Sequence, residues 1–473
     1  MRKLSGLDAA FIYTESPTNH MHMASLAVVD PATMPGGYDF ARIRELVLQR
    51  LPLVPPFRWR LVQVPLPMAR PVWIEDPHFD LDFHLHHDAL LPPGGDAELA
   101  AYAADVFGRP LDRDHPLWEM HVVEGLASGE IAVVTKTHHA VIDGVSGAEL
   151  TAKLLDVVID PPPLPAPERA WRPDRVPSEP ELLVEGMIDL AGRPLAAART
   201  LARTVEMVCN LARRNRQPGV RTPPAPFQAP KTMLNGPISG QRAVAFTRLD
   251  LEDIKRVKRH VGGTVNDVVV ALCAGALRRY LQAHDDLPER PLVGGVPISV
   301  RAEHESGTLG NKVSAMLVSL ATDVADPLER LAAIQDATAA AKDQDKAIGA
   351  STLADWAEFL APAVAARAAR VLASTPVMDR LGPIVNVVIS NVPGPNFPLY
   401  LAGARLDALF PMGPIVDGVA LNMTVMSYLG TMFFGLVACR ETVPDVDLLA
   451  RGLEEALCEL LDAVSALEAE ATS

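Results

Sequence analysis

The chain has 473 residues, of which 49% are hydrophobic, and it carries a formal net charge of −15. This length allows two or three domains with sizeable cores, and the apolar fraction excludes a disordered chain. The excess of 58 Asp and Glu over 43 Lys and Arg argues against a nucleic-acid binder and leaves room only for a local basic patch. The four cysteines lie far apart without a CxxC pair, which predicts a reduced, intracellular compartment and no thiolate metal site.

Two segments bear on membrane insertion. At the N-terminus, Asp8 and Glu15 interrupt the apolar residues, so no signal peptide is expected. Residues 418–439 carry no charge and are long enough to cross a bilayer, which needs about 20 apolar residues. Polar and apolar residues alternate there, however, and Gly430 lies in the middle, so a buried β-hairpin is favoured over a membrane-spanning helix.

The first half of the chain mixes strands and helices. Its predicted elements are, in chain order, a half-buried strand at 81–88, a helix at 97–111, two strands within 119–140 joined at Ser128 and Gly129, and a helix at 146–158. The second of the two joined strands ends at a pair of histidines. Ser146 and Glu149 have the spacing of a capping box, which predicts that the last helix begins directly beyond that pair.

A proline-rich bridge follows. Residues 160–180 and 217–241 hold too many prolines for regular structure, and they bracket a helical stretch at 181–216. That stretch carries six arginines among apolar residues, namely Arg193, Arg199, Arg203, Arg213, Arg214 and Arg216. A basic amphipathic helix can lie on an anionic membrane surface. A helix packed across the two halves, with its arginines in solvent, explains the pattern equally well, and Pro194 kinks the helix in either case.

The second half repeats the mixture of strands and helices. Its predicted elements are a strand at 242–249, the segment 250–260, a helix at 264–284, strands at 291–300 and 312–321, helices near 327–345 and 352–374, the segment 384–395, the hairpin at 418–439 and a closing helix at 446–469. No fixed-period repeat is present, so the pattern favours two α/β sandwiches over a solenoid. We therefore predict an N-terminal domain at 1–160, a bridge at 161–241 and a C-terminal domain at 242–473.

Residues 137–147 read THHAVIDGVSG and contain the strongest candidate site. A neutral imidazole, from His138 or His139, can accept a proton from a hydroxyl and return it to a leaving thiolate. Asp143 can hold the ring or the loop through a charge-assisted contact, and Gly144 can supply the backbone angles of a sharp turn. The position between a strand end and a helix start suits side chains that project into a cleft.

Other interpretations of the histidines stay open at this point. Two His and one Asp could bind a metal ion, but the glutamate of an HExxH helix is missing and the intervening residues are apolar. The pair could also be partly exposed and inert. A second cluster, His84, His86 and His87, could place His84 and His86 on one face of a strand and bind metal, although exposed polar residues of a strand explain it as well. No GxSxG elbow, P-loop or Rossmann fingerprint occurs.

Several further segments resemble one known family. They are LSGLDAAFIYTESPTNHMHM (4–23), HPLWEMHVVEGL (115–126), the histidine motif, TVNDVVVALCAGALRRYL (264–281), GGVPISVR (294–301), LGNKVS (309–314) and SNVPGP (390–395). Together they resemble the bacterial wax ester synthase/acyl-CoA:diacylglycerol acyltransferases. This family belongs to the CoA-dependent acyltransferase superfamily, with chloramphenicol acetyltransferase and the peptide-synthetase condensation domains.

The resemblance implies a fold and a reaction. The fold is two chloramphenicol-acetyltransferase-like α/β sandwich domains with an active-site tunnel between them. The reaction is transfer of a long acyl group from acyl-CoA, as co-substrate, to a hydroxyl of diacylglycerol or of a fatty alcohol, with no metal and no cofactor. His139 is then the general base, no acyl-enzyme forms, and His138 shapes the site.

The resemblance also implies roles for other residues. Asp143 is structural, with Arg301 as its partner, and Gly144 holds the loop. The family's Asn-Asp and Pro-Leu-Trp motifs match Asn266 and Asp267 and a second set, Pro116, Leu117 and Trp118. Asn266 and Asp267 also lie where residues stabilise the first turn of a helix without any catalysis.

Two rival functions accompany this prediction. One is a lipid-binding or lipid-droplet coat protein in which the histidine motif is vestigial, and the other is an acyltransferase acting on peptide or polyketide carriers. The insolubility of the lipid substrates predicts a cytoplasmic protein that associates peripherally with the inner face of the membrane or with lipid droplets.

Overall fold

Two six-stranded sheets and one three-stranded sheet organise the part of the chain that the computed structural model describes, residues 1–65, 70–141, 153–162, 171–188, 213, 222–299, 313–348 and 382–472. The strands are β1 Arg2–Lys3, β2 His22–Asp30, β3 Trp59–Val62, β4 Val72–Glu75, β5 Leu85–Ala89, β6 Trp118–Glu124, β7 Ile131–His138, β8 Arg242–Asp250, β9 Val293–Ser299, β10 Val313–Ser319, β11 Val387–Val392, β12 Tyr400–Leu401, β13 Ala404–Met412, β14 Leu421–Tyr428 and β15 Thr431–Cys439. The helices are α1 Gly6–Thr14, α2 Phe40–Arg50, α3 Asp96–Gly108, α4 at 179–188, α5 Leu251–Val261, α6 Val265–Ala283, α7 Pro327–Ile348 and α8 Val446–Thr472.

The first large sheet has the strand order β12-β13-β2-β7-β6-β5. β2 and β7 are antiparallel, and their register places His22 opposite His138. Helix α3 covers one face of this sheet, where the buried Lys136 of β7 donates from Nζ to the carbonyl oxygens of Val106 and Arg109, each at 3.0 Å. The histidine pair therefore lies at the end of a central strand, whose position is fixed by neighbours on both sides.

The second large sheet has the order β10-β9-β11-β14-β15-β8 and packs against α6 and α8. Apolar residues of α6 from Val268 to Leu277 are buried in this core. β14 and β15 form the hairpin expected from the sequence, and its turn is Leu429-Gly430, both with positive φ (45° and 81°). Two residues in this conformation match the right-handed twist of paired strands, which explains glycine at the second position.

The two halves share a sheet. Strands β12 and β13 come from the second half of the chain but pair in the first sheet, where β13 lies antiparallel to β2. Phe410 of β13 packs against Phe246 and Phe433 of the second sheet, with ring centroids 4.7 Å and 5.3 Å apart. Residues 400–412 fall within the predicted C-terminal domain at 242–473, but their strands pair in the sheet of the first half.

Most predicted elements are present with small shifts at their ends. The helix predicted at 97–111 ends at Gly108, and residues 155–158, expected at the end of the helix predicted at 146–158, are not helical. The prediction at 81–88 is wrong in its first half, because Leu81–Phe83 form a 3-10 turn and the strand begins at Leu85. Three predicted regions lie outside the described residues. They are residues 146–152 of the helix predicted at 146–158, the helix predicted at 352–374, and the arginine-bearing part of 181–216 except residue 213.

Among the described helices, none alone is long and apolar enough to cross a bilayer. Together α5 and α6 reach the length and composition of such a span, but they meet at an angle of 104°.

Candidate active site

His138 is held rigidly at the end of β7. Its side chain is fully buried, and its backbone N–H donates to the Leu117 carbonyl at 3.0 Å. Its Nδ1 accepts a hydrogen bond from the backbone N–H of Ala140 at 3.0 Å. Since Nδ1 acts as an acceptor, the proton of the neutral ring is on Nε2, which faces the Glu15 carboxylate at 3.7 Å. His138 therefore fixes the turn that carries the next histidine.

Glu15 lies directly after α1 and connects that helix to the site. Its carboxylate accepts from Arg113 Nε at 2.9 Å and from Nη2 of the same guanidinium. Arg113 also donates to the Ile12 carbonyl at 2.8 Å, which ties the group to α1. Burial raises the pKa of Glu15, but His138 and Arg113 outweigh burial and hold that pKa below its usual value. A charged carboxylate thus orients His138 at neutral pH.

His139 follows the strand and has different surroundings. Its backbone N–H donates to the Met21 carbonyl at 2.9 Å, which fixes the residue against the start of β2. Its imidazole lies against the ring of Phe11 on α1, with centroids 4.4 Å apart. The side chain is half-buried, so solvent or a substrate can reach it, whereas His138 is enclosed.

The Pro-Leu-Trp segment lies beside the motif. Leu117 receives the hydrogen bond from His138, and Pro116 is buried next to it. Trp118 is fully buried, donates from its indole N–H to the Phe57 carbonyl at 2.8 Å, and stacks on the Phe57 ring at 4.3 Å. These three residues support the end of β7. Among the described residues, their contacts are packing and hydrogen bonds to the backbone.

His84 is a buried structural residue and not an exposed strand position. It caps the 3-10 turn, and its Nδ1 donates to the Trp118 carbonyl at 2.9 Å. Burial lowers the pKa of His84 to about 4, so the ring is neutral at neutral pH. The expectation that His84 and His86 share one strand face is wrong, because β5 begins only at Leu85.

Asn266 and Asp267 occupy the first turn of α6. The Asp267 carboxylate accepts from the backbone N–H and the hydroxyl of Thr264, each at 2.8 Å, and from the Thr338 hydroxyl at 2.7 Å. Asn266 accepts from the side chain of Asn391 at 3.2 Å. These contacts make Asp267 a buried cap that also joins α6 to α7. Asp143, Gly144 and Arg301 lie outside the described residues.

Sequence reasoning missed four polar residues around His138. Glu15, used above only to argue against a signal peptide, and Arg113 form one pair, while His20 and His22 precede or begin β2 and are buried. Burial, together with the charge of Lys136, holds the pKa of His22 well below its usual value, so this ring is neutral. The repeated histidine in His-Met-His at 20–22 was the available signal, and in the structure the two rings stack with centroids 5.5 Å apart.

Comparisons with known proteins identify the family of the chain. Residues 4–269 match the family described as the wax ester synthase/diacylglycerol acyltransferase catalytic domain, and residues 309–461 match its C-terminal domain. A Mycobacterium tuberculosis relative named as a diacylglycerol O-acyltransferase is 41% identical, with 98% of this chain and 90% of the relative covered. A Mycobacterium bovis relative of the same description is 36% identical, with 97% of this chain and 98% of the relative covered.

Solved structures are similar to this chain in family or fold. The wax ester synthase/diacylglycerol acyltransferase from Marinobacter aquaeolei VT8 is 31% identical, has a TM-score of 0.69, and is covered over its full length by 98% of this chain. The first condensation domain of the calcium-dependent antibiotic synthetase has a TM-score of 0.59 at 16% identity, with 98% of this chain and 96% of that chain covered, which shows a shared fold. The chain is therefore an acyltransferase that belongs to the wax ester synthase/diacylglycerol acyltransferase family.

Proposed function

We propose that the protein transfers a long-chain acyl group from acyl-CoA to the free hydroxyl of diacylglycerol, with His139 as the general base. The observation that carries this proposal is the contrast between the two histidines. His138 is enclosed and hydrogen-bonded to Ala140, while the His139 imidazole is half-buried beside Phe11. A base has to reach the hydroxyl whose proton it takes, and of the two rings His139 is the accessible one.

The chemistry needs few groups because a thioester is already an activated acyl donor. His139 takes the hydroxyl proton while the hydroxyl oxygen bonds to the thioester carbonyl carbon. The carbon–sulfur bond then breaks, and the proton passes to the CoA thiolate, which leaves as the thiol. Holding both substrates in one site supplies most of the remaining rate enhancement, so no acyl-enzyme is required.

Two acceptors fit this chemistry. The mycobacterial relatives are named as diacylglycerol O-acyltransferases, while the name of the Marinobacter protein includes wax ester synthase. Acyl chains bury at about 0.8 kcal/mol per CH₂ in an apolar tunnel, which gives affinity but little discrimination between acceptors of similar bulk. Diacylglycerol is our first choice, because the relatives with the higher identity carry that description, and a long-chain fatty alcohol is the alternative.

We also propose that the protein works at a lipid surface, either the inner face of the membrane or a lipid droplet. Helix α4 is attached through Leu182, which is buried with Val64 and Val72 near the small sheet. The same helix exposes Val184, Met187 and Ile188, each more than half accessible to solvent. Exposed apolar residues on one helix are typical of helices that lie in a membrane interface.

Replacement of His139 tests the catalytic proposal. We expect His139→Ala to lower the rate of CoA release from palmitoyl-CoA plus diolein by about 10²–10⁴-fold, which is the usual contribution of a general base. The matched control is His87→Ala, which removes an exposed histidine of β5 that pairs with Glu124. That variant should keep the wild-type rate.

Three results would decide against the proposal or narrow it. Undiminished turnover in His139→Ala would remove His139 as the base. Binding of acyl chains by the wild-type protein without thiol release would favour the lipid-binding protein. A panel of diolein, monoolein and hexadecanol, with products identified, separates triacylglycerol synthesis from wax ester synthesis.

A further inference from the structure

Strands β5 and β6 bring three potential metal ligands together away from the histidine motif. The two strands are parallel, and their register pairs His86 with His121. Glu119 precedes His121 by two residues on β6, so both side chains lie on the same face of the sheet. One ligand atom from each of His86, Glu119 and His121 lies within 4.8 Å of the other two.

The position of the proton on His121 follows from its neighbours. Nδ1 lies 3.1 Å from a carboxylate oxygen of Asp88 and 2.9 Å from the hydroxyl of Tyr102. The Tyr102 hydroxyl donates its own proton to Asp88 at 2.5 Å. Because the Asp88 carboxylate can only accept, Nδ1 of His121 carries the proton and donates it. The lone pair of the neutral ring is therefore on Nε2.

This lone pair faces another acceptor. His121 Nε2 lies 3.5 Å from Oε2 of Glu119. Oε2 of Glu119 also lies 2.9 Å from Nζ of the buried Lys136, so this oxygen already has one cationic neighbour. The lone pair of His121 Nε2 and the second oxygen of the carboxylate remain as the donors that a metal ion would use.

His86 completes the donor set. Its ring stacks on that of His121, with centroids 4.5 Å apart and 28° between the planes. A neutral imidazole offers its unprotonated nitrogen as a ligand, and one ring nitrogen of His86 lies in the group. Both His86 and Glu119 are half-buried, which leaves the group open to ions from solvent.

We propose that His86, Glu119 and His121 bind one divalent transition-metal ion of the Zn²⁺ class, with water in the remaining coordination position. Two imidazoles and one carboxylate suit Zn²⁺ and similar ions, whereas Ca²⁺ and Mg²⁺ prefer oxygen ligands alone. The bond from His121 Nδ1 to Asp88 is the contact that metal-binding histidines ordinarily make with their second nitrogen.

The geometry requires only side-chain adjustment. Ligand atoms of a tetrahedral ion at about 2.1 Å lie roughly 3.4 Å apart, so no pair of the three ligand atoms has to close by more than about 1.4 Å. Lys136 holds Oε2 of Glu119 at 2.9 Å, but a carboxylate offers about four lone-pair positions over its two oxygens. Since β5 is the edge strand of the first sheet, the ion would fasten this edge to β6.

Metal titration of the whole, tag-free protein tests the proposal. After removal of metals with a chelator, Co²⁺ should bind with one equivalent and give the visible absorption of a nitrogen- and oxygen-ligated site, and Zn²⁺ should displace it. Loss of a ligand should weaken binding at least as much as loss of a supporting contact, so His86→Ala should raise the Kd by more than about tenfold. The control His87→Ala removes a histidine from the other face of β5 and should leave the Kd unchanged.

A second variant covers the case in which His86→Ala does not fold. Asp88→Asn keeps all three ligands but weakens the partner of His121 Nδ1, and it should raise the Kd by about 10–100-fold. Saturable binding that persists at wild-type affinity in both variants would overturn the proposal. So would the lack of stoichiometric binding by the wild-type protein.

Discussion

His138 and His139 are neighbours in sequence but have opposite surroundings. The imidazole of His138 is fixed by Ala140 on one nitrogen and faces Glu15 with the other. The ring of His139 is half-accessible and has Phe11 beside it. At the scale of single residues, enclosure of His138 and accessibility of His139 distinguish the ring that holds the turn from the ring that a substrate can reach.

Replacement of Glu15 tests the support of His138. Glu15→Gln should lower the free energy of unfolding by about 1–3 kcal/mol, because the partly buried Arg113 loses its counter-charge. The control Glu124→Gln also removes a glutamate that faces a histidine, but its side chain is 40% exposed, and it should cost less than about 1 kcal/mol. Urea unfolding at neutral pH measures both.

The effect of Glu15 depends on pH in a defined direction. The folded protein lowers the pKa of Glu15, so this carboxylate stabilises the fold fully above the ordinary pKa of about 4.3. The stabilisation is lost as the pH falls through the lowered pKa of the folded state. The difference between wild type and Glu15→Gln should therefore be constant from neutral pH downwards and shrink below about pH 4. An equal difference at all pH values would show that Glu15 acts through packing alone.

The sequence predicts the histidine motif but not the residues that contact it from distant parts of the chain. His138 and His139 stand next to each other, and local spacing is enough to find them. The contact between Glu15 and His138 joins the end of α1 to the end of β7, and a contact between distant parts of the chain leaves no local pattern. For the same reason the pairing of His86 with His121 could not be read from the sequence, although each residue stands in a predicted strand region.

At the scale of elements, capping and turn residues carried the predictions that succeeded. The turn at Leu429-Gly430 and the alternation around it predicted the hairpin of β14 and β15. The strand predicted at 81–88 failed at its start because Asp80 caps a 3-10 turn through the backbone N–H of Asp82. An aspartate side chain that accepts from the backbone N–H two residues later favours a turn over the extended conformation. The alternation of polar and apolar residues does not indicate such a bond.

Replacement of Asp267 separates a capping role from a catalytic one. Asp267→Asn should lower the free energy of unfolding by about 1–3 kcal/mol, because an amide group cannot accept on both oxygen positions from Thr264 and Thr338. The control Asp250→Asn changes an exposed cap of α5, and it should be neutral within about 0.5 kcal/mol because Asn and Asp cap helices equally well. The kcat of folded Asp267→Asn should equal that of wild type. A lower kcat at unchanged stability would instead place Asp267 in the catalytic machinery.

At the scale of the whole molecule, the crossing of β12 and β13 joins the two halves into one unit. The flanking strands β11 and β14 belong to the second sheet, while β13 is hydrogen-bonded to β2 of the first. The predicted C-terminal domain at 242–473 did not anticipate that β12 and β13 pair in the first sheet. Alternation shows that a segment is a strand, but it does not identify the sheet in which the strand pairs.

Replacement of Phe410 tests this coupling. Phe410→Ala should lower the free energy of unfolding by about 3–5 kcal/mol, because the ring is 4% exposed and fills the space between the two sheets. Tryptophan fluorescence, which reports on Trp59, Trp73 and Trp118 in the first core, and circular dichroism should shift together to lower urea. The control Phe397→Ala removes a ring that is 50% exposed and should change stability by less than about 0.5 kcal/mol. Separate transitions for the two signals would contradict the coupling.

The exposed apolar residues of α4 are the lipid-binding surface that we propose for the whole molecule. A variant with Val184, Met187 and Ile188 all replaced by Ser should bind anionic vesicles at least about tenfold more weakly, since each apolar side chain that enters the interface contributes about 0.8 kcal/mol per CH₂. The matched control replaces Val157, Val158 and Ile159, which are also exposed but lie outside any helix, and it should float with vesicles like wild type. Leu182 stays in both variants, so the attachment of α4 to Val64 and Val72 is kept. Equal flotation of all three proteins would remove α4 as the lipid-binding element and leave the arginines of 193–216 as the next segment to test.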